Sequence, residues 1–159
     1  IAAEELPADA YRDDVAANLA VAERWVTEHS DTEFDFFLPP YSILFWDKVI
    51  REGRTEAVFA AIRQAGQTLL QYDNVKFYGY LMDPEIVTNL DNYCDYIHHS
   101  GGVCREILAM LQREEGRLTE ENLEETLANW REFVVHYDYD QFWDERFWIQ
   151  WNAEHAAAP

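Results

Sequence analysis

From Asp9 to His29, Val15, Leu19, Ala22 and Val26 recur at helical spacing, which predicts an amphipathic helix after a loose lead-in over residues 1–8. Ser30 and Asp31 break it. The aromatic run Glu33–Leu38 predicts a short buried strand, stopped by Pro39-Pro40, because proline cannot continue a ladder. Ser42–Arg51 is a short apolar, helix-like stretch ending near Gly53. Thr55 is a fair N-cap for a second long helix with Phe59, Ile62, Gly66 and Leu69 on one face, and Tyr72-Asp73-Asn74 ends it in a turn. Val75–Leu81 predicts a second strand, closed by Asp83-Pro84.

A loop is expected from Glu85 to Gly102, then a helix over Val103–Gln112 with Val103, Ile107 and Leu111 inward. Thr119 is expected to cap a last helix whose inward stripe is Leu123, Leu127, Trp130 and Val134, with Glu120 and Glu121 in its first turn. In the aromatic tail, Trp143, Phe147 and Trp151 stand four apart, beside Phe142 and Trp148. They fit a C-terminal helix packed on the domain, or a sugar-stacking or partner-docking patch. This order of helices and strands is that of a three-layer α/β/α fold on a parallel sheet. Two strands do not make such a sheet, and the chain opens on Ile1 rather than Met, so further strands are expected from an upstream segment.

The length of 159 residues suits one domain, and 48% hydrophobic with 15% aromatic residues rules out a disordered chain. The net charge of −19 leaves no basic stripe for phosphates and no attraction to anionic lipid, which argues against nucleic-acid binding and membrane association. No run approaches the roughly 20 apolar residues of a membrane span. Acidity of this size serves solubility, or suits a basic partner.

Chemistry concentrates in Thr88–Ser100, polar and aperiodic, placed just after a strand where α/β sheets carry their sites. Asp95 and His98 stand three apart, so a carboxylate in one turn can hold imidazole Nδ1 and leave Nε2 free to take a proton. The bland alternative is a capped turn with a surface histidine. Cys94, Asp95, His98, His99 and Cys104 also invite a zinc reading, but their spacing matches no finger or ribbon. Cys94 and Cys104 are two thiols in a reducing compartment, or a disulfide stapling the loop in an oxidising one.

Pro39-Pro40-Tyr41-Ser42, then Trp46-Asp47, then Thr88 through His98 resemble the C-terminal half of SGNH/GDSL-type hydrolases, in their bacterial cell-envelope branch, over about residues 30–125. The resemblance implies an SGNH-like α/β domain over residues 1–125 with a helical aromatic extension over 126–159. It implies His98 as general base and Asp95 as its orienting acid, with Tyr41 and Asn92 near the substrate pocket. It further implies a serine esterase or O-acyltransferase acting on acyl esters of cell-envelope polysaccharide, extracytoplasmic, needing neither metal nor organic cofactor. His99 and Cys94 depart from the pattern, which has Tyr and a polar residue there. The nucleophile is missing too: of Ser30, Ser42 and Ser100, none follows a first strand in a glycine turn, so it is expected from the upstream segment. The reading of a different class is a non-enzymatic acidic binding protein, of immunity or inhibitor type, with a basic target.

Overall fold

The computed structural model describes residues 4–144 and Ile149. Among these residues the fold is mostly helical around a small mixed sheet: α1 (Arg12–Glu28), β1 (Phe34–Phe37), α2 (Ile43–Arg51), α3 (Thr55–Leu69), β2 (Val75–Tyr78), α4 (Pro84–Val87), α5 (Gly101–Gln112), β3 (Arg117–Leu118) and α6 (Leu123–His136). Single 3-10 turns occupy Tyr80–Met82, Leu90–Asn92 and Tyr139–Trp143. Phe147, Trp148 and Trp151 of the expected aromatic stripe lie outside the described residues.

β2 is the central strand. It runs parallel to β1, with Phe34 opposite Val75 and Phe37 opposite Tyr78, and the chain crosses between them through α2 and α3. It pairs antiparallel to β3, with Phe77 opposite Leu118. The expected three-layer α/β/α domain on a parallel sheet is therefore not what forms. One of the two pairings is antiparallel, and a two-residue strand closes the sheet. The reason lies after α5, where Glu114 (φ 54°) and Gly116 (φ 72°) take left-handed backbone and turn the chain back along β2.

Side chains of β2 alternate between two cores, as strand pleating requires. Val75 and Phe77 join the larger core with Val26 of α1, Trp46 of α2, Phe59 and Ile62 of α3, and Leu127 and Trp130 of α6. Tyr78 faces the other way and packs with Tyr80 against Val103, Ile107 and Met110 of α5. The predicted helical stripes are the buried ones: Phe59, Ile62, Gly66 and Leu69 on α3, and Leu123, Leu127, Trp130 and Val134 on α6. Gly66 permits the close approach of α3 and α6, since a Cβ there would stand 2.8 Å from Leu123 Cδ2. Exposed ion pairs Arg63–Glu124 and Arg131–Glu56 lace the same two helices; such pairs contribute little by themselves.

Some boundaries move. Thr55 is the first helical residue of α3 rather than its cap, because Gly53 (φ 64°) and Arg54 already make the turn. Thr119 does not cap α6 directly. It forms a reciprocal turn with Asn122, whose Oδ1 accepts from Thr119 N at 2.8 Å, and the helix starts at Leu123.

Trp46 is the centre of the larger core. It is fully buried, with its ring 5.5 Å from Phe45, 5.2 Å from Phe59 and 6.0 Å from Trp130. Its Nε1 has no hydrogen-bond partner among the described residues. Trp46→Ala is expected to cost about 3–5 kcal/mol in chemical denaturation. Trp46→Phe, which removes the unpaired donor and keeps an aromatic ring, should cost far less.

Candidate functional site

The segment between β2 and α5 is a chain of local caps. Asp83 Oδ1 accepts from Glu85 N at 3.0 Å and Ile86 N at 3.2 Å, starting α4. Asn89 Oδ1 accepts from Asp91 N at 3.1 Å, and Asn92 Nδ2 donates to Ile86 O at 3.0 Å. Tyr93 and His99 then pair as an isolated antiparallel bridge, with Ser100 N on Asn92 O at 2.7 Å and Cys94 N on His98 O at 2.9 Å. The result is a tight hairpin with Asp95, Tyr96 and Ile97 at its tip.

Asp95 organises that tip. Its Oδ1 accepts from Ile97 N at 2.8 Å and His98 N at 2.7 Å, while Oδ2 lies 2.6 Å from His98 Nδ1. The backbone N–H of His98, then that of Ile97, then the imidazole itself hold the Asp95 carboxyl well below the usual carboxylate range, at about 2. An ionised carboxylate can only accept, so Nδ1 carries the proton, and in the neutral ring Nε2 keeps a lone pair. The His98 side chain is 71% exposed, so this bond sets orientation and adds little stability.

The hairpin is clasped from a distant part of the chain. Tyr93 donates its hydroxyl to Pro40 O at 2.8 Å. Ser42 donates both its amide, at 3.1 Å, and its hydroxyl, at 2.9 Å, to Tyr96 O. Ser42 is fully buried, and burial pushes the Tyr93 phenol up, so it remains a donor. The two segments singled out in the sequence, Pro39–Ser42 and Thr88–Ser100, are thus one unit.

Their junction with α2 leaves a cleft of about 230 Å³ lined by Tyr41, Phe45, Lys48, Val49, Arg54, Tyr96 and Ile97. Tyr41 meets Phe45 edge-on at 5.0 Å, and Lys48 Nζ sits 4.8 Å above the Tyr96 ring. Three wider recesses have volumes of about 370, 380 and 340 Å³. They hold no comparable chemistry: Asp83 in the first caps α4, Arg117 in the first pairs with Glu114, Arg12 in the second pairs with Asp9, and Glu124 in the third pairs with Arg63.

Of the residues expected at a site, Asp95 and His98 stand in direct contact and Tyr41 lines the cleft. Asn92 is turned away to brace Ile86 O. Cys94 and Cys104 are exposed free cysteines. His99 does not join the Asp95–His98 pair; its Nδ1 is buried without a partner among the described residues. No three His, Cys, Asp or Glu side chains gather as metal ligands among those residues. Phe45, Lys48 and Arg54 carry no motif in the sequence; within α2, Phe45 and Lys48 stand three apart and so share one side of the helix, next to Tyr41 just before it.

No family model and no solved structure matches the chain. Two curated relatives do, from Lacticaseibacillus casei and Lacticaseibacillus paracasei, each named "UPF0735 ACT domain-containing protein". Each is 24% identical over 90 residues, 57% of this chain and 62% of the relative, so the chain spans less than two thirds of the relatives' length. These matches overturn the resemblance to SGNH/GDSL hydrolases, and with it the esterase or O-acyltransferase reading. The mostly helical fold with its small mixed sheet points the same way. Ser42 is buried and committed to Tyr96 O, and Ser100 Oγ accepts from Val103 N at the start of α5. The acidic immunity-type or inhibitor-type binder finds no support in the relatives either.

Because the folded Asp95 carboxyl titrates near pH 2, below its ordinary value of 3.8, its contribution to the hairpin is complete above about pH 4. It is lost only as pH falls through 2. NMR titration should show the Asp95 carboxyl and the Ile97 and His98 amides moving together at that low midpoint. In the neutral ring, nitrogen shifts of His98 should report the Nδ1–H tautomer in the wild type, and Asp95→Asn should abolish that preference.

Proposed function

We propose that this chain binds a small organic molecule in the cleft between α2 and the Tyr93–His99 hairpin. The observation that carries the reading is the composition of that cleft: Tyr41, Phe45 and Tyr96 form aromatic walls beside two cationic side chains, Lys48 and Arg54. Concave sites that bind small molecules are apolar and aromatic with a few placed polar groups, which is this arrangement. A volume of about 230 Å³ equals roughly eight waters at about 30 Å³ each, the scale of a single-ring fragment. The clasp of Ser42 and Tyr93 fixes the two walls relative to each other, so the cleft is formed in advance. The two relatives are named as containing an ACT domain, a small-ligand regulatory domain, in keeping with binding.

A second role is favoured by the 2.6 Å contact of Asp95 with His98. His98 follows Ile97 in the chain without itself lining the cleft, so the proton acceptor would serve a donor on a part of the bound molecule that reaches past Ile97.

Screening a set of aromatic fragments of up to ten non-hydrogen atoms by NMR tests both. Binders should shift the resonances of Tyr41, Phe45 and Tyr96, and binders with a hydroxyl or amide donor should also shift His98 Nε2. Tyr96→Ala should weaken them by roughly tenfold, the scale of one aromatic wall. A set that leaves the cleft resonances unmoved at millimolar concentration contradicts the binding reading. Cleft shifts with an unresponsive His98 remove only the second role.

A further inference from the structure

We propose that the cleft selects a small monocarboxylate with a flat apolar body, an inference that rests on the cleft being a binding site. The charges and free donors of the cleft decide the choice. Among the described residues, Lys48 Nζ has Glu52 at 3.9 Å, beyond hydrogen-bond reach, and otherwise only the face of Tyr96, so its N–H donors remain open there. Arg54 spends Nε on Tyr11 Oη at 2.7 Å and Nη1 on Glu52 at 2.9 Å, which leaves Nη2 with no partner among the described residues. Tyr11 and Glu52 hold the guanidinium in place while that edge stays open.

Both cations share one carboxylate, Glu52, so Lys48, Arg54 and Glu52 together carry a single positive charge. That excess stands out in a chain whose net charge is −19. A single carboxylate has two oxygens for two donors and one charge for one charge. A dianionic phosphate leaves a negative charge unmatched, an amine meets like charge, and a neutral molecule leaves the open donors unused. The aromatic sides of Tyr41, Phe45 and Tyr96 then take the rest of the molecule, best if it is planar.

Four probes sharing one ring separate these cases: benzoate, phenyl phosphate, benzylamine and benzyl alcohol, titrated by NMR into the wild type and into Lys48→Met. Lys48 is exposed and Met keeps the stem, so the variant should retain the wild-type spectrum away from the cleft. Benzoate is expected to bind the wild type at least tenfold more tightly than the other three, and Lys48→Met should erase most of that advantage. Benzyl alcohol binding as tightly as benzoate overturns the carboxylate inference and leaves the cleft reading standing. So does an advantage that survives Lys48→Met. Phenyl phosphate or benzylamine as the tightest ligand overturns the charge argument. If no probe shifts a cleft resonance, the inference and the binding reading fail together.

Discussion

One backbone carbonyl, that of Tyr96, holds the molecule's most chemical segment in place. It accepts both the amide and the hydroxyl of Ser42, a residue 54 positions earlier and fully buried. Beside it, Tyr93 reaches Pro40 O. A loop rich in polar groups has many competing local hydrogen bonds and no apolar stripe to fix it. Here the tie to the β1–α2 junction decides among them. The proline pair contributes by what it lacks: with no N–H to satisfy, Pro39-Pro40 ends β1 and crosses to α2 while the Pro40 carbonyl stays open to Tyr93.

The rest of the site leans on that clasp and on the core beneath it. Phe45 is a cleft wall on one side and an edge-on neighbour of Trp46 on the other, so the cleft stands directly on the most buried ring of the fold. Tyr96 and Ile97 are delivered to the opposite wall by the hairpin tip, whose turn is set by Asp95. Stability and function are thus divided between different contacts. Aromatic burial around Trp46 and the buried clasp supply rigidity, whereas the exposed Asp95–His98 bond gives the imidazole a direction and little else.

The longer helices are legible in the sequence because they rest on apolar residues at regular spacing: Val26 closes one such stripe on α1, and Val134 closes another on α6, whereas the single turn of α4 falls where a loop is expected. The contact of Asp95 with His98 was legible for a related reason, since a three-residue separation in a turn is a local property. The sheet was misjudged where the signal is short. Arg117-Leu118 is too brief to alternate, and the left-handed turn before it hinges on Glu114, a residue type with no special preference for that conformation. Two parallel strands joined by helices were extrapolated to a full parallel sheet, and a likeness of short motifs to a hydrolase family carried more than the fold supports. The cleft was missed because its walls come from α2, from the start of α3 and from a hairpin far along the chain, so no single stretch announces it.

Amide hydrogen exchange across Asn92–Ser100, compared between the wild type, Tyr93→Phe and Ser42→Ala, tests the clasp most directly. Each variant deletes a single hydroxyl and leaves the local hairpin bonds available. The account expects faster exchange at Cys94 and Ser100 in both variants, with α3 and α6 unchanged. Exchange at those two amides as slow in the variants as in the wild type would show that the hairpin stands without the clasp.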